Sequence, residues 1–309
     1  VIQALDLPLA ELKERLRAGA VAWVTVNPVE FHGPHLPLHT DRWQAEGLAR
    51  DLHAALGEPG EPLLCADLEL GVDPAPGPGS RHAPYGTVVA EVQRAVDGLA
   101  ALGATRFALV TFHGAPLHNL ALHAVVERLR ARGLSAVAPF QAVVRLLLEP
   151  VEPHGLDGAV AMLPEARRQL VADALPWDFH GGYFETSLML HWAPHVVSAA
   201  HTALPPCPEV TPDRWLLRAS RWARRLGRSA TAAELEFAAR GVGFQRLRPF
   251  PGYSGHPADA NAQAGRWFAE LALDRALPPT RAALAGSPLP DRPSMAWVGP
   301  ATAWGRLGP

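Results

Sequence analysis

Cysteine is nearly absent. Cys65 and Cys207 are the only two in 309 residues, too few for a disulfide framework and in keeping with a reducing cytoplasm. No apolar run in the sequence reaches the roughly 18 residues that a membrane span needs. Basic charge is not in excess: Lys+Arg is 28 against Asp+Glu 30, a net charge of −2, so the global basic field of a nucleic-acid-binding protein is missing. Lysine is almost unused, with Lys13 the single one among the basic residues, as in a GC-rich coding sequence. HExxH, paired CxxC, Walker A and GxGxxG motifs are all missing. Gly252-Tyr-Ser-Gly lacks the residue between Ser and Gly that a nucleophile elbow requires. The chain opens at Val1 without an initiator Met, which reads as a trimmed start. Its first residues have an acidic helical pattern, not a basic then apolar leader, so no signal peptide is expected.

What is present is ordinary globular material with one excess. Hydrophobic residues make up 48% and charged residues 19%, which excludes a wholly disordered chain. A chain of this length buries a full core without a metal or disulfide staple. The excess is histidine, with 14 residues; imidazole is the commonest protein metal ligand.

The apolar run at 20–26 reads as a buried strand, and 62–70, the very apolar 106–112 and 134–140 read as three further strands. Helical spacing covers 5–18, 41–56, 87–102 (with Thr87 as its cap) and 117–132, ended by Gly133. Residues 71–86 are rich in Gly and Pro and read as loop. This strand–helix alternation argues for a mostly parallel sheet with helices on both faces. Beyond 150 the expected helices are 165–175, 184–192, two within 213–240, and 258–276. The simplest organisation is one domain over 1–309, with a helical elaboration around 205–245 and an irregular tail over 285–309.

The segment richest in chemistry is Glu30-Phe-His32-Gly-Pro-His35-Leu-Pro-Leu-His-Thr-Asp41. It follows an apolar strand and precedes a helix, where open α/β sheets build their sites. Glu30 and His32 are two apart and share a side in extended chain. Gly33, Pro34 and Pro37 then turn the chain, and Asp41 returns at a helix start, where a carboxylate suits the helix dipole. This mixed O/N set suits Zn, Mn or Fe, and a carboxylate can bridge two ions. Surface decoration is the alternative. His113 follows the third strand, as a ligand or as a structural strand-end histidine. His180 and Glu185 lie in Asp178-Phe-His-Gly-Gly-Tyr-Phe-Glu185, where the two glycines permit close backbone approach and Glu185 could equally cap a helix. Trp177 and Tyr183 flank His180 and read either as walls for a small flat substrate or as core.

These blocks resemble the creatininase family of metal-dependent amidohydrolases. The 30–41 block keeps every spacing of the family's first signature. Ser80-Arg-His82-Ala-Pro-Tyr-Gly-Thr87, Thr111-Phe-His113-Gly-Ala-Pro116, His180-Gly-Gly-Tyr-Phe-Glu185-Thr-Ser187 and, more weakly, Gly255-His-Pro-Ala-Asp-Ala260 resemble four further blocks in family order. The resemblance implies a three-layer α/β/α fold with a mostly parallel central sheet, often assembled as a hexamer. It implies two divalent ions, zinc first with manganese or iron as alternatives. Glu30 and His113 would hold one ion, His32 the other, and Asp41 would bridge them. Glu185 would supply the remaining carboxylate, because the position where creatininase carries a ligand Glu is Ala115 here. His180 would be the general acid/base, with Glu185 beside it in the catalytic set. His35 would orient the loop or a ligand, and His82 would line the pocket.

The function expected from the resemblance is hydrolysis of a non-peptide or cyclic C–N amide bond by metal-activated water. A formamide hydrolase or a peptidase of cofactor or natural-product maturation is the alternative on the same scaffold. A non-catalytic binding protein is the second alternative. The expected partners are a small-molecule amide and further copies of the chain, with no nucleic acid and no membrane. One motif stands outside this scheme. Arg214, Arg218, Arg221, Arg225 and Arg228 form a helical stripe, with Trp215, Trp222 and Leu226 near the other side. A solvated face over a buried seam is the favoured reading, and an anionic-surface or partner helix the rival.

Overall fold

Five short strands pair into one parallel sheet, the first of them, Ile2–Gln3, at an edge where the sequence shows no strand pattern. The structure, a computed structural model, describes residues 1–148, 156–287 and 293–307. The strands are β1 (Ile2–Gln3), β2 (Ala22–Asn27), β3 (Leu63–Glu69), β4 (Arg106–Val110) and β5 (Ser135–Val137), in the order β1-β3-β2-β4-β5. The helices are α1 (Leu9–Arg17), α2 (Thr40–Leu56), α3 (Tyr85–Leu102), α4 (Pro116–Ala131), α5 (Phe140–Leu148), α6 (Asp157–Val160), α7 (Glu165–Ala174), α8 (Tyr183–Trp192), α9 (Arg214–Arg225), α10 (Ser229–Gln245), α11 (Ala262–Leu284) and α12 (Val298–Ala301).

The period-two geometry of a strand sorts its side chains into two cores. Ala22, Val24, Val26, Phe107 and Leu109 join α1, α3 and α4 through Leu16, Val92 and Val125. Trp23, Ala108 and Val110 join α2, α5, α8 and α11 through Leu48, Val143, Leu188 and Phe268. The result is a three-layer α/β/α fold. Each fully buried aliphatic or aromatic side chain contributes about 1.5–3 kcal/mol. Among the described residues no helix is long and apolar enough to cross a membrane.

Strand order places the site. From β2 the chain passes through α2 on one face to β3. It returns through α3 on the other face to β4, on the far side of β2. The crevice outside the carboxyl ends of β2 and β4 is therefore a topological switch point, where such sheets bind ligands. The loops after β2, β3 and β4 all open into it.

Several expected boundaries move. Pro8 splits the first helix, leaving a 3-10 turn at Ala4–Asp6 before α1. Helix α3 starts at Tyr85, and Thr87 is not its cap: the amides of Thr87 and Val88 bond to Pro84 O. The strand expected over 134–140 is cut to Ser135–Val137, because Phe140 opens α5 and packs on Phe112 at 4.7 Å between ring centroids. Helix α11 runs on through Pro278 and Pro279, held by burial of Ala276, Ala283 and Leu284 against the core. Tertiary packing here outweighs the roughly 3 kcal/mol helix penalty of proline.

The tail is less irregular than its composition. Met295 N and Trp297 Nε1 donate to the Glu234 carboxylate, α12 adds a helical turn, and Trp304 packs on Tyr85 at 4.8 Å. Residues 288–292 and 308–309 of the expected tail lie outside the described residues. The seam expected under the arginine stripe is also absent as drawn. Trp215, Trp222 and Leu226 are 60%, 65% and 63% exposed, while Ser220 and Ala223 are the buried residues of α9.

Candidate metal centre

Two strand ends are stitched together first. Asn27, the last residue of β2, accepts hydrogen bonds at Oδ1 from Thr111 Oγ1 and Phe112 N, each at 3.1 Å. The loop that follows is closed by Glu30 N donating to Leu38 O at 3.0 Å. Gly33 sits at φ +77°, and a Cβ there would meet Tyr253 at 2.9 Å, so the turn requires glycine. Asp41 enters in the first turn of α2 and Glu185 in the first turn of α8. Gln44 ties these two helices by donating to Glu185 O at 3.2 Å.

Six of the expected side chains meet: Glu30, His32, Asp41, His113, His180 and Glu185, all buried. His113 Nδ1 lies 2.8 Å from Glu30 Oε2 and 3.7 Å from Asp41 Oδ2. His32 Nε2 lies 3.2 Å from Asp41 Oδ1 and 3.6 Å from Glu185 Oε2. His180 stacks on His32 with ring centroids 4.2 Å apart, its Nδ1 3.9 Å from Glu30 Oε1. Three compact donor groups result: Glu30–Asp41–His113, His32–Asp41–Glu185, and Glu30–His32–His180.

Each imidazole is pinned at its other nitrogen by a backbone carbonyl. His32 Nδ1 is bound to Glu30 O at 3.1 Å, His113 Nε2 to Val72 O at 2.9 Å, and His180 Nε2 to Phe31 O at 2.9 Å. A nitrogen that donates to a carbonyl fixes the neutral tautomer and aims the remaining lone pair into the site, the arrangement of metal-binding histidines. The facing atoms behave accordingly. Glu30 Oε2, His32 Nε2 and Asp41 Oδ2 are buried without an aligned hydrogen bond despite these short approaches. Donors that converge on a common point, and not on each other, fit a cation between them.

Without a cation the cluster balances itself with protons. Burial raises the Glu30 carboxyl, but the imidazoles of His113 and His32 outweigh it and hold it at about 2. Burial disfavours charge on His32 and His113, yet the carboxylates beside them raise the two to about 10 and about 9. Glu185 is raised to about 8, by burial first, with the Asp41 charge adding to it. Burial and the neighbouring His32 charge keep His180 well below its ordinary value, hence neutral.

The other expected residues take different places. His35 Nε2 is 2.8 Å from Thr186 Oγ1, so it braces the residue next to Glu185. His82 is exposed; its Nδ1 accepts from Asp73 N at 3.2 Å, and it lines a cavity of about 360 Å³ with Tyr85, Trp304 and Arg306. Trp177 is half-buried under the Arg240 guanidinium, 3.6 Å from its ring centroid. Tyr183 is fully buried, T-stacked on Phe268, with its hydroxyl donating to Ala159 O at 2.6 Å. That satisfies its one polar atom inside the core, so Tyr183 packs the core and does not wall a substrate.

Three supporting groups were not foreseen. His118 is bound between Val26 O and Val72 N behind His113, and burial with the His113 charge lowers it to about 3. Asn119 donates to His113 O at 2.8 Å. Ser254 clamps His180, its Oγ accepting from His180 N at 3.0 Å and its N–H donating to His180 O at 2.7 Å. The first two follow His113 on the opening turns of α4, a spacing that could have flagged them. Ser254 lies 74 residues from His180, and no local pattern links the two.

An inward-facing N/O donor set at the carboxyl ends of a parallel α/β/α sheet has the make-up of a metal-binding enzyme site. The family model of creatininase, described as creatinine amidohydrolase, matches residues 6–277. The chain belongs to the creatininase family, hydrolases acting on C–N amide bonds. Solved structures share the fold. A mutant creatininase complexed with creatine aligns at a TM-score of 0.60 and 18% identity, covering 92% of this chain and 98% of that one. A mutant creatininase of Zn-Zn type aligns at 0.56 and 16%, covering 89% and 95%. A creatininase structure designated Mn aligns at 0.55 and 18%, covering 88% and 95%. No curated protein sequence matches the chain.

Proposed function

We propose that this enzyme is a binuclear amidohydrolase that cleaves a non-peptide or cyclic C–N bond in a small amide. The observation that carries this is a pair of donor groups sharing one residue: Glu30 and His113 on one side, His32 and Glu185 on the other, with Asp41 in both. A shared carboxylate is what a bridging ligand must be. The donors are nitrogen and carboxylate oxygen, which suits zinc, and the relatives designated Zn-Zn and Mn support either metal. Two divalent ions supply, when bound, polarisation of the amide carbonyl and a water of lowered pKa.

The remaining work falls to the chain. His180 is left over by the two groups that share Asp41. Its Nε2 is committed to Phe31 O, so its Nδ1 takes the proton of the attacking water and passes it to the leaving nitrogen. Acid–base help of this kind is worth about 10²–10⁴ in rate. The Ser254 clamp on both backbone atoms of His180 holds that ring in place. Complete burial of the six donors favours a small amide over a polypeptide, which would need an open groove.

The test is metal content by mass spectrometry on the purified protein beside Asp41→Ala, followed by a screen of small, cyclic and N-formyl amides for amine release. Two ions per chain, lost in the variant, are expected. One ion in the wild type would overturn the binuclear reading. No tight metal after addition of zinc or manganese would overturn the hydrolytic one.

A further inference from the structure

The face of α9 is used neither by the fold nor by the metal centre. At 100° per residue, Trp215, Ala219, Trp222 and Leu226 fall within a sector of about 60°, and all four are exposed. On the same spacing Arg214, Arg218, Arg221 and Arg225 fill the adjoining sector. The stripe is about 16 Å long by the helical rise. The helix itself is firmly held. Asp213 Oδ1 caps it by accepting from Trp215 N and Leu216 N, and Ser220 and Arg224 bind Glu236 of α10 at 2.8 and 2.7 Å. An aromatic and a cationic row thus stand side by side on a rigid, convex ridge. The guanidinium groups of Arg214 and Arg218 lie 5.1 and 5.2 Å from the Trp215 ring centroid, so cation and ring work at one depth.

Charge is segregated to match. Residues 214–228 hold six arginines and no acidic residue, while the rest of the chain has 22 basic against 30 acidic residues. Among the described residues, none of Arg214, Arg218, Arg221, Arg225 and Arg228 pairs with a carboxylate. At the amino end of the ridge an open cavity of about 730 Å³ is lined by Arg214, Arg246, Arg248 and Trp215, together with Glu209 and Asp213.

We propose that α9 docks this enzyme on a bilayer surface carrying anionic lipid. Trp and Leu on one sector with arginine beside them is the composition of a helix that lies in the interfacial plane, and Trp rings favour the headgroup level. A flat, deformable, anionic surface suits a convex basic ridge. A twofold contact of this face with a second copy does not, because it opposes the four arginines of the stripe to the same four. The acidic remainder of the chain is repelled from the same surface, which orients the molecule with α9 down. This docking is independent of the metal centre.

The test is co-sedimentation of the full chain with phosphatidylglycerol-containing vesicles and with pure phosphatidylcholine vesicles, at low and high salt. Binding to the first alone, lost at high salt, is expected. Arg218→Gln, Arg221→Gln and Arg225→Gln together lower the partition coefficient about 100-fold. Trp215→Ser with Trp222→Ser lowers it at least about tenfold. Both variants keep their circular dichroism and metal content. Quenching of wild-type tryptophan emission by brominated lipid reports insertion without any variant. Absence of sedimentation with the anionic vesicles overturns the proposal, as does equal binding to both compositions. Conversion of an oligomer to a smaller species by the Trp variant, with no vesicle binding by the wild type, also overturns it and assigns the face to a second copy.

Discussion

Metal loading of this protein should expel about three protons at pH 7. In the metal-free chain His32 titrates at about 10, His113 at about 9 and Glu185 at about 8, so all three hold protons at neutrality. Each must release its proton to bind a cation. Glu30, at about 2, and the neutral His180 contribute none. Protons and metal compete, so affinity rises with pH. The product of the two association constants should climb steeply with pH through neutrality and flatten as the pH rises past the raised titrations of Glu185, His113 and His32. Isothermal titration calorimetry in two buffers of equal pH and different ionisation enthalpy gives the proton count directly. Glu185→Gln should lower it by about one. A count near zero in the wild type would refute the reasoning, because the buried imidazoles would then not be the charged partners of the carboxylates, and a count unchanged by the variant would refute the proton on Glu185.

Three further outcomes are expected. His180→Asn should retain both ions and lose about 10²–10⁴ in kcat on whichever amide the screen identifies; loss of an ion in that variant would make His180 a ligand. Tyr183→Phe should cost about 1–3 kcal/mol in urea denaturation, since Ala159 O loses its 2.6 Å donor in the core, with metal content unchanged. Gly265→Ala puts a Cβ 1.8 Å from Ser187 O, forcing α11 off α8 at a cost of about 3 kcal/mol, whereas Gly98→Ala on the exposed side of α3 meets nothing within 4 Å and should gain about 0.5–1 kcal/mol. Thermal melts of the two glycine variants, in opposite directions, check that pair.

The sheet and the first half of the site were readable from residues because their causes are local. Buried parallel strands are near-continuous apolar runs, and 20–26 and 106–112, with the apolar first half of 62–70, stand between helical spacings. Glu30, His32 and Asp41 lie on one short loop whose glycine and prolines dictate the turn. His113 follows directly on β4. These features depend on neighbours a few residues away, so period and turn chemistry reveal them.

What only the tertiary structure decided concerns partners far apart in the chain. The family resemblance implied that Asp41 bridges, but the spacing of the residues could not place it in two donor groups, since that depends on α8 bringing Glu185 against α2 through Gln44. It could not choose between core and substrate wall for Tyr183, because the choice rests on Ala159 O, 24 residues away. It drew a buried seam beneath the arginine stripe, since an amphipathic pattern shows two faces but not which one the neighbouring helix covers. Here α10 takes the small face of Ser220 and Ala223 and leaves both tryptophans outside. Local pattern fixes periodicity and turns, whereas burial and ligand geometry are properties of contacts that exist only once distant segments are packed.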